Sequence, residues 1–311
     1  MKVLLSGTSS FTGLWFSSLL ADRGHEVVAI LTRPLADYEG LRATRLAQLL
    51  GRVDFRPQVL FGSREFLGLL SEGEFDVVCA HGAMMDGYRS PDFPYLEATK
   101  ANTAGVEECC RVLSEVKRPT GLVLTGTVFE AREGIGDPEK RAFSPYGLSK
   151  TLTSDIFSFF SSLHGVPLTK FVIPNPFGPY EEKRFLSHLI TNWFESKVPE
   201  VRTPEYLRDN IAVDLLAMRY VNAVETSISF EGQMTLRPSG YVESQGTFSY
   251  RVAREISKRT GWDCPLQINR QVDFSEPMFR VNDQPASSEV PEWNEELFWD
   301  AYTEYYLKIL R

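Results

Sequence analysis

The sequence predicts an α/β protein with a doubly wound parallel sheet and a smaller C-terminal region. Short apolar runs alternate with amphipathic stretches through the first 175 residues, and we interpret the runs KVLLS, EVVAIL, FDVVCA, TGLVLT and LTKFVI as buried strands. Such alternation is typical of a parallel sheet covered by helices on both faces. After PNPFGP the rhythm is lost, and Pro, Arg and aromatic residues become frequent.

Helical patterns fill the gaps between these runs. Between FDVVCA and TGLVLT, residues recur at helical spacing at Leu96, Thr103, Val106, Cys110 and Leu113. A later helix contains YGLSK, and its spacing predicts a core face made of Leu152, Ile156, Phe159 or Phe160, and Leu163.

Composition and charge narrow the class of protein. The 33 basic and 41 acidic residues give a net charge of -8 without a sustained Lys/Arg run, so nucleic acid is not an expected partner. Cys79, Cys109, Cys110 and Cys264 lack metal-like spacing, which predicts reduced, mostly buried thiols, no disulfide framework and no metal site. The chain has no signal-peptide layout and no run of roughly 18 apolar residues. We therefore expect a soluble, cytoplasmic protein with no membrane partner.

The stretch GTSSFTG, from Gly7 to Gly13, directly follows the first predicted strand. A strand that ends in glycine and leads into a helix turns backbone N–H groups and the positive end of the helix dipole toward a pyrophosphate. Ser10 takes the middle glycine position of a G-x-x-G-x-x-G pattern, where its hydroxyl can cap the helix. The stretch predicts a modified dinucleotide-binding turn, and a purely structural turn stays open as the alternative.

The second predicted strand ends in Leu31, Thr32 and Arg33, without the carboxylate that usually binds the ribose 2'-hydroxyl of NAD. A hydroxyl and a guanidinium suit the 2'-phosphate of NADP, so NADP(H) is favoured over NAD(H). The alternative is a solvated arginine at the end of a strand.

YGLSK places Tyr146 and Lys150 four residues apart, on one face of a helix. A tyrosine with a pKa near 10 is a poor acid or base at neutral pH until a neighbouring ammonium stabilises its phenolate. Lys150 is placed to supply that charge, which makes the pair a candidate catalytic couple.

These motifs belong to an ordered set that resembles the extended short-chain dehydrogenase/reductase family, which includes nucleotide-sugar epimerases, dehydratases and ketoreductases. The matching segments, from Gly7 to Ala217, are GTSSFTG, FDVVCAHGA, NTAGV, LVLTGTVF, YGLSK, PNPFGP and RDNIAVDLLA. The resemblance implies a Rossmann domain that binds NAD(P) at residues 1–176. Residues 177–311 are expected to form mainly a substrate-binding region, with some segments returning to the Rossmann domain.

The resemblance also implies roles for individual residues. Thr125 would hydrogen-bond the reacting sugar oxygen, Tyr146 would be the acid/base, and Lys150 would also hold the nicotinamide ribose. Asn175 would meet the substrate diphosphate, and Arg208 would pair with its phosphate or nucleotide ribose. With Thr32 and Arg33 included, the expected cofactor contacts are Gly7, Ser9, Ser10, Phe11, Thr12, Gly13, Thr32, Arg33, Gly82, Ala83, Asn102, Tyr146, Lys150 and Pro174.

The residues after Thr125 bear on the reaction. Family members that dehydrate 4-keto sugars usually carry Asp and Glu there, whereas this chain has Gly126 and Thr127, so 4,6-dehydration is disfavoured. The non-acidic end of the second strand favours an NADPH-dependent reductase of a nucleotide-linked 4-keto-6-deoxy sugar. A nucleotide-sugar epimerase with tightly bound NAD(P) and a non-catalytic NADP-binding scaffold or sensor remain as alternatives. A homodimer formed through helices, as in the family, is possible.

Overall fold

The computed structural model describes residues 1–135 and 141–311. Its strands are β1 (Lys2–Ser6), β2 (Glu26–Leu31), β3 (Asp54–Pro57), β4 (Val77–Ala80), β5 (Gly121–Thr127), β6 (Leu168–Ile173), β7 (Asn175–Phe177), β8 (Glu200–Val201), β9 (Leu207–Ala212), β10 (Gln233–Leu236), β11 (Pro238–Ser239), β12 (Tyr241–Ser244), β13 (Gln267–Ile268), β14 (Phe279–Arg280) and β15 (Gln284–Pro285).

The α-helices are α1 (Phe11–Asp22), α2 (Gly40–Ala47), α3 (Arg64–Glu72), α4 (Tyr95–Thr103), α5 (Val106–Glu115), α6 (Pro145–His164), α7 (Phe185–Phe194), α8 (Val213–Thr226), α9 (Gln245–Thr260), α10 (Ala286–Glu289) and α11 (Glu295–Leu310). A short 3-10 helix, Leu35–Asp37, follows β2.

The main sheet of the described chain has seven strands in the order β10-β6-β5-β4-β1-β2-β3. Every neighbouring pair in it is parallel. The order reverses at β1, since the chain first moves outward through β2 and β3 and then returns to β4 on the other side. In such sheets ligands bind outside the carboxyl ends of the strands at the reversal point. The predicted doubly wound fold is therefore confirmed, and its ligand cleft lies between the ends of β1 and β4.

The strand predictions hold where the strand is buried on both faces. All five apolar runs are strands of the main sheet. The analysis missed β3 and β10, which lie at the two edges of this sheet. Their residues are partly or fully exposed, so they carry no continuous apolar run. An edge strand with a polar sequence gives no pattern that distinguishes it from a loop.

The stretch between β4 and β5 is two helices rather than one. Helix α4 ends at Thr103 and α5 begins at Val106, because the backbone is extended at Ala104. Val106, Cys110 and Leu113 are buried as the spacing predicts, whereas Leu96 is 62% exposed.

The core face predicted for α6 was right only in part: Phe160 packs against the core, and Leu152 and Ile156 are half-buried. Phe159 and Leu163 are 62% and 60% exposed. The buried face instead carries the catalytic candidates and small residues, namely Tyr146, Gly147, Ser149, Lys150, Thr151, Thr153, Ser154, Phe157 and Ser161. Several hydroxyls on this face bond to backbone carbonyls of their own helix, as Thr153 does to Ser149 at 2.8 Å. With their polarity satisfied internally, these short side chains let α6 pack closely against α4 and α5.

The chain after Phe177 builds a second sheet and also returns to the first. Strands β7, β9, β12 and β14 form the second sheet, while α8 packs on α1 and β10 pairs with β6. An aromatic cluster around Phe177, including Phe298, Trp299 and Tyr302, holds α11 against the second sheet. The segment after Phe177 therefore completes the main sheet, and it also covers the end of that sheet at which the cleft lies.

The four cysteines are free thiols, with Cys79, Cys109 and Cys110 buried and Cys264 partly buried. Among the described residues, no helix is both long enough and apolar enough to span a bilayer.

The loop after β7 is tied to the C-terminal helix by a buried carboxylate. Glu181 accepts hydrogen bonds from the Tyr302 and Tyr306 hydroxyls at 2.5 and 2.9 Å. Burial raises the pKa of Glu181 to about 7, and the two phenols oppose the shift only in part. A carboxyl pKa raised in the folded state stabilises the fold below the unfolded pKa of 4.5, and this contribution is lost as the pH rises through about 7.

We expect Glu181→Gln to remove this pH dependence. Relative to the variant, the wild-type free energy of unfolding should fall by roughly 3 kcal/mol between about pH 4.5 and about pH 8, because one pKa unit corresponds to about 1.4 kcal/mol. Urea denaturation at both pH values measures the difference. Glu304→Gln, at an exposed position of the same helix, is the control. A wild-type curve that runs parallel to the Glu181→Gln curve would contradict the assignment.

Candidate active site

The turn after β1 is packed too tightly to accept a side chain at Gly7 or Gly13, the two glycines of the predicted pattern. Gly7 has a φ of +80°, and a Cβ there would lie 2.7 Å from the Gly82 nitrogen. A Cβ at Gly13 would lie 2.2 Å from the Gly7 carbonyl oxygen. Ser10 is the N-cap of α1, where its Oγ accepts the Gly13 N–H at 3.0 Å. The cap leaves the N–H groups of Phe11 and Thr12 without intrahelical partners, as an anion site at a helix N-terminus requires.

The carbonyl group of Ser9 is held in this turn by Arg45. It is buried, and its carbonyl oxygen accepts a hydrogen bond from Arg45 Nη1 at 3.4 Å. Arg45 also donates to the Tyr180 carbonyl and pairs with Glu182 at 2.8 Å. The turn therefore keeps its shape through a buried guanidinium, and its backbone geometry fits the diphosphate of a dinucleotide.

Thr32 and Arg33 are both exposed at the end of β2. The Arg33 guanidinium lies 5.0 Å from the centroid of the Tyr38 ring, and Thr32 Oγ1 lies 3.4 Å from the Tyr38 hydroxyl. Tyr38 itself is buried. The predicted 2'-phosphate residues thus share one aromatic support beside the end of the strand.

Thr125 and Lys150 lie together at the carboxyl end of β5, Tyr146 lies one helical turn before Lys150 on α6, and each of the three side chains is 6% exposed. The Lys150 ammonium donates to the Thr125 carbonyl oxygen at 2.8 Å. The Tyr146 ring is enclosed by Tyr88, Phe93 and Phe129, with centroid distances of 5.4, 5.7 and 5.8 Å. The three predicted catalytic side chains are therefore brought to one end of the sheet and withdrawn from bulk water.

Burial controls the charge of this group. It raises the pKa of Tyr146, and the neighbouring Glu130 carboxylate raises it further. Burial also lowers the pKa of Lys150, an effect that Glu130 opposes. Burial therefore outweighs the lowering of the Tyr146 pKa that was predicted from Lys150, and Tyr146 is held as the neutral phenol, which is the form that can donate a proton.

A buried ionic network lies behind Gly126. Lys170 pairs with Glu130 at 2.6 Å and with Glu133 at 2.8 Å, and Arg237 pairs with Glu133 at 2.7 Å. A Cβ at Gly126 would lie 2.8 Å from Lys170 Cε and 3.1 Å from Glu130 Oε1. The position directly after Thr125 therefore has no room for the extra carboxylic acid that a dehydratase carries.

The turn after β4 faces the glycine turn. The Gly82 N–H donates to Ser6 Oγ at 3.0 Å, and Ala83 is the next residue of this turn. Asn102 Oδ1 accepts the N–H of Met84 at 2.9 Å, and Asn102 Nδ2 is buried without a hydrogen-bond partner among the described residues. The predicted cofactor-side asparagine thus fixes this turn and keeps one amide donor unused.

Pro174 is buried and lies between β6 and β7. Asn175 lies one residue further on, and its side-chain amide donates to the Asp209 carbonyl at 3.2 Å. The predicted cofactor and substrate contacts at these two positions therefore occupy the junction of the two sheets.

Arg208 is partnered within the protein. Its guanidinium pairs with Glu276 at 2.9 Å, donates to the Pro277 carbonyl at 3.0 Å and lies 4.2 Å from the Tyr206 ring centroid. Arg280 is its register partner on β14. Arg280 is buried, and its Nε and Nη1 lack hydrogen-bond acceptors in the described part of the chain. Glu276 pairs with Arg280 Nη1 only at 3.6 Å and is shared with Arg208, so two guanidinium groups face one carboxylate, which favours an anion at this place.

The sequence analysis missed Arg280 and His81. Arg280 stands within the mostly apolar segment MFRV, and His81 stands within the segment FDVVCAHGA that already carried the resemblance. A charged or ring-nitrogen side chain within a mostly apolar stretch of sequence was the available signal in both cases. The His81 ring lies between Thr125 and the start of α1, with Nδ1 2.9 Å from Thr125 Oγ1.

Comparison with solved structures gives the same fold over the whole chain. UDP-glucuronic acid 4-epimerase from Bacillus cereus, in complex with UDP-glucuronic acid and NAD, is 18% identical, with coverage of 99% of this chain and 100% of that chain and a TM-score of 0.72. UDP-glucose 4-epimerase from Thermotoga maritima, with UDP-glucose, is 18% identical, with 100% coverage of both chains and a TM-score of 0.71.

UDP-glucose-4-epimerase from Stenotrophomonas maltophila, with bound NAD and formylated UDP-arabinopyranose, is 17% identical, covers 99% of this chain and 98% of that chain, and has a TM-score of 0.75. At these identities the likeness establishes the fold. No sequence among the curated proteins matches the chain.

A family-level comparison adds the sequence itself. The model of the NAD dependent epimerase/dehydratase family matches residues 3–227. This match covers the glycine turn, the strand that ends at Thr125, the Tyr146–Lys150 pair and β9 with Arg208. It agrees with the resemblance to extended short-chain dehydrogenase/reductases, and the chain belongs to the NAD dependent epimerase/dehydratase family.

Proposed function

We propose that this protein is an NAD(P)-dependent enzyme that acts at C4 of a nucleoside-diphosphate sugar, and that its reaction is 4-epimerisation. The observation that carries the proposal is the placement of Lys150 on the Thr125 carbonyl at the end of β5, with Tyr146 one helical turn away and the glycine turn linked to Thr125 through His81. The structural neighbours are mostly 4-epimerases, and they do not support the earlier preference for a reductase.

Each residue has a defined task in this reaction. The bound nicotinamide supplies the acceptor and donor of hydride. Because burial and Glu130 favour the phenol, Tyr146 must first give up its own proton. Its phenolate then takes the proton of the sugar 4-hydroxyl as hydride leaves the same carbon, and returns it when hydride comes back to the opposite face. Thr125 holds the reacting oxygen by a hydrogen bond. Lys150, buried four residues along the helix, orients the cofactor ribose and stabilises negative charge on Tyr146.

Reduction of a nucleotide-linked 4-keto-6-deoxy sugar is the second candidate. The observation in its favour is the exposed Arg33 above Tyr38 with Thr32 beside it, an arrangement that suits NADP. A reductase that exchanges NADPH would use Tyr146 directly in the neutral form that burial favours, as a proton donor to the ketone oxygen. The crowded space at Gly126 argues against a 4,6-dehydratase activity.

The substrate diphosphate is assigned to the second sheet. Asn175 lies on β7 and Arg208 on the neighbouring β9. The carboxylate that Arg208 pairs with, on Glu276, is 47% exposed, so a diphosphate can replace it without leaving a buried acid unpaired. The adjacent Arg280 supplies further donors.

A homodimer is proposed through α4 and α6. Leu148, Phe159 and Leu163 recur on the outer face of α6, and Tyr95 and Leu96 extend the apolar surface onto α4, which packs beside it. Each of these side chains is between 36% and 62% exposed. Pairing the same face of a second copy would bury all of them at once.

Tyr146→Phe should remove most turnover and leave cofactor affinity intact, because it deletes the proton carrier alone. General acid/base catalysis contributes about 100-fold to 10,000-fold, so a loss in that range is expected. Thr125→Val should cost less, and Lys150→Ala should lower both turnover and cofactor affinity. A panel of nucleoside-diphosphate sugars, analysed by chromatography for the 4-epimer, measures this.

Tyr250→Phe, at an exposed tyrosine, is the matched control for that series. Net oxidation of NADPH with a 4-keto sugar, without epimer formation, would establish the reductase instead. Full activity of Tyr146→Phe would exclude the mechanism, and turnover of no sugar by the wild type would favour a binding scaffold.

Arg33→Ala should lower the affinity for NADPH relative to NADH by about tenfold, because a charge-assisted hydrogen bond contributes roughly 1.5–3 kcal/mol. Fluorescence titration of both nucleotides measures the ratio. Arg64→Ala, at an exposed position on α3, serves as the control. The NADP assignment is wrong if wild type binds NADH more tightly or if the ratio does not respond to Arg33→Ala.

Phe159→Glu combined with Leu163→Glu should convert the proposed dimer to a monomer, because each carboxylate would have to be desolvated at the apolar interface. Sedimentation equilibrium measures the mass. Ile309→Glu, at a similarly exposed site on α11, should leave the dimer intact. A wild-type protein that is monomeric at micromolar concentration would refute this proposal.

A further inference from the structure

A short chain of polar side chains connects the glycine turn to the catalytic threonine. Ser10 Oγ and Thr12 Oγ1 each lie 3.1 Å from Nε2 of His81. On the other side of the ring, Nδ1 lies 2.9 Å from Thr125 Oγ1. The imidazole therefore spans the space between the start of α1 and the end of β5.

Aromatic packing and the backbone fix the position of this ring. Phe16 meets its edge with a centroid distance of 5.0 Å, and Phe16 is itself stacked on Tyr220 at 3.8 Å. The His81 N–H donates to Ser6 Oγ at 3.1 Å. Burial and the nearby Lys150 ammonium lower the pKa of His81 well below its ordinary value, so the ring is neutral and carries one N–H.

The neighbouring hydroxyls decide which nitrogen carries that hydrogen. Ser10 Oγ already accepts the Gly13 N–H as the helix cap, so its own hydrogen needs an acceptor. Thr12 places a second hydroxyl at the same nitrogen. Two hydroxyl donors around Nε2 favour an unprotonated Nε2, which leaves the hydrogen on Nδ1. Nδ1–H then donates to Thr125 Oγ1.

We propose that His81 is a positioning residue, which holds the Thr125 oxygen through Nδ1–H so that the Thr125 hydrogen is free to bond the reacting substrate oxygen. The proposal rests on the proposed function. With the opposite tautomer, the Thr125 hydrogen would be spent on Nδ1, and Thr125 would offer the substrate only a lone pair. Donation matters most at the ketone stage, when the substrate oxygen has no hydrogen of its own.

This arrangement also accounts for Ser10 in the glycine turn. A glycine there would provide neither the cap nor the hydroxyl that faces Nε2. Ser10, Thr12 and His81 therefore act together. The two hydroxyls at the start of α1 hold the His81 ring, and the ring holds the Thr125 hydroxyl.

The first test is the protonation of the ring, measured without substrate. Long-range proton–nitrogen NMR correlations of the holoenzyme, assigned with His81→Asn, should show His81 as the neutral Nδ1–H tautomer at neutral pH. Thr125→Val should shift the Nδ1 resonance more than Nε2, and Ser10→Ala the reverse. A Nε2–H tautomer or a protonated ring overturns the proposal, whatever the enzyme does in an activity assay.

The second test separates positioning from structure by kinetics. His81→Leu should lower kcat by about tenfold or more while KM and cofactor affinity stay within about threefold, because a transition-state hydrogen bond is weakened. His81→Asn keeps an amide donor where Nδ1 stood, and its kcat should return to within about threefold of wild type. In the Thr125→Val background, His81→Leu should cost less than about twofold, since both changes act on one interaction.

Equal losses in the two backgrounds, or no recovery in His81→Asn, overturn the proposal. If the wild type turns over no nucleotide sugar, the proposed function fails and the positioning role of His81 in that reaction fails with it. The NMR result distinguishes that case, because it reports the hydrogen bond to Thr125 independently of turnover.

Discussion

The close approach of the turns after β1 and β4 is the constraint on which the site depends. Their backbones meet at Gly7 and Gly82, where a Cβ on Gly7 would lie 2.7 Å from the Gly82 nitrogen. Ser6 Oγ joins them by accepting the N–H groups of His81 and Gly82 at 3.1 and 3.0 Å. Because the two turns are locked together, the start of α1, the His81 ring and the end of β5 keep fixed relative positions. Thr125 is therefore oriented by the same packing that shapes the turn after β1.

The sequence predicts well the parts of the fold in which local pattern and tertiary environment agree. Central strands such as β1 and β5 are buried on both faces, so they are continuous apolar runs, whereas β3 and β10 are exposed edges with no such run. The order of the motifs likewise assigned Thr125, Tyr146 and Lys150 to one candidate site. His81 escaped because its partners Ser10, Thr12 and Thr125 lie 71, 69 and 44 residues away in the chain. Only the folded sheet places them in contact.

Helix α6 shows why amphipathic spacing can point to the wrong face. Its buried face consists largely of Ser, Thr and Gly around Tyr146 and Lys150. These hydroxyls satisfy themselves on their own backbone, so the face is polar by composition and yet packs closely against α4 and α5. The large apolar side chains Phe159 and Leu163 remain outside. Helical spacing alone predicts that an apolar stripe faces the core of its own chain. Such a stripe can equally belong to a surface that another molecule covers.

The ionic network behind Gly126 also bears on how this enzyme can vary. Lys170 on β6 bridges Glu130 and Glu133, and Arg237, one residue beyond β10, completes the charge balance. Buried carboxylates that lose their cations are costly, on the order of 3–5 kcal/mol for a broken pair. The chain around Arg237 therefore cannot be exchanged as an independent module. Swapping it for the corresponding part of a relative would leave buried charges unpaired directly behind β5, so a chimaera of two relatives has to take Lys170, Glu130, Glu133 and Arg237 from the same parent.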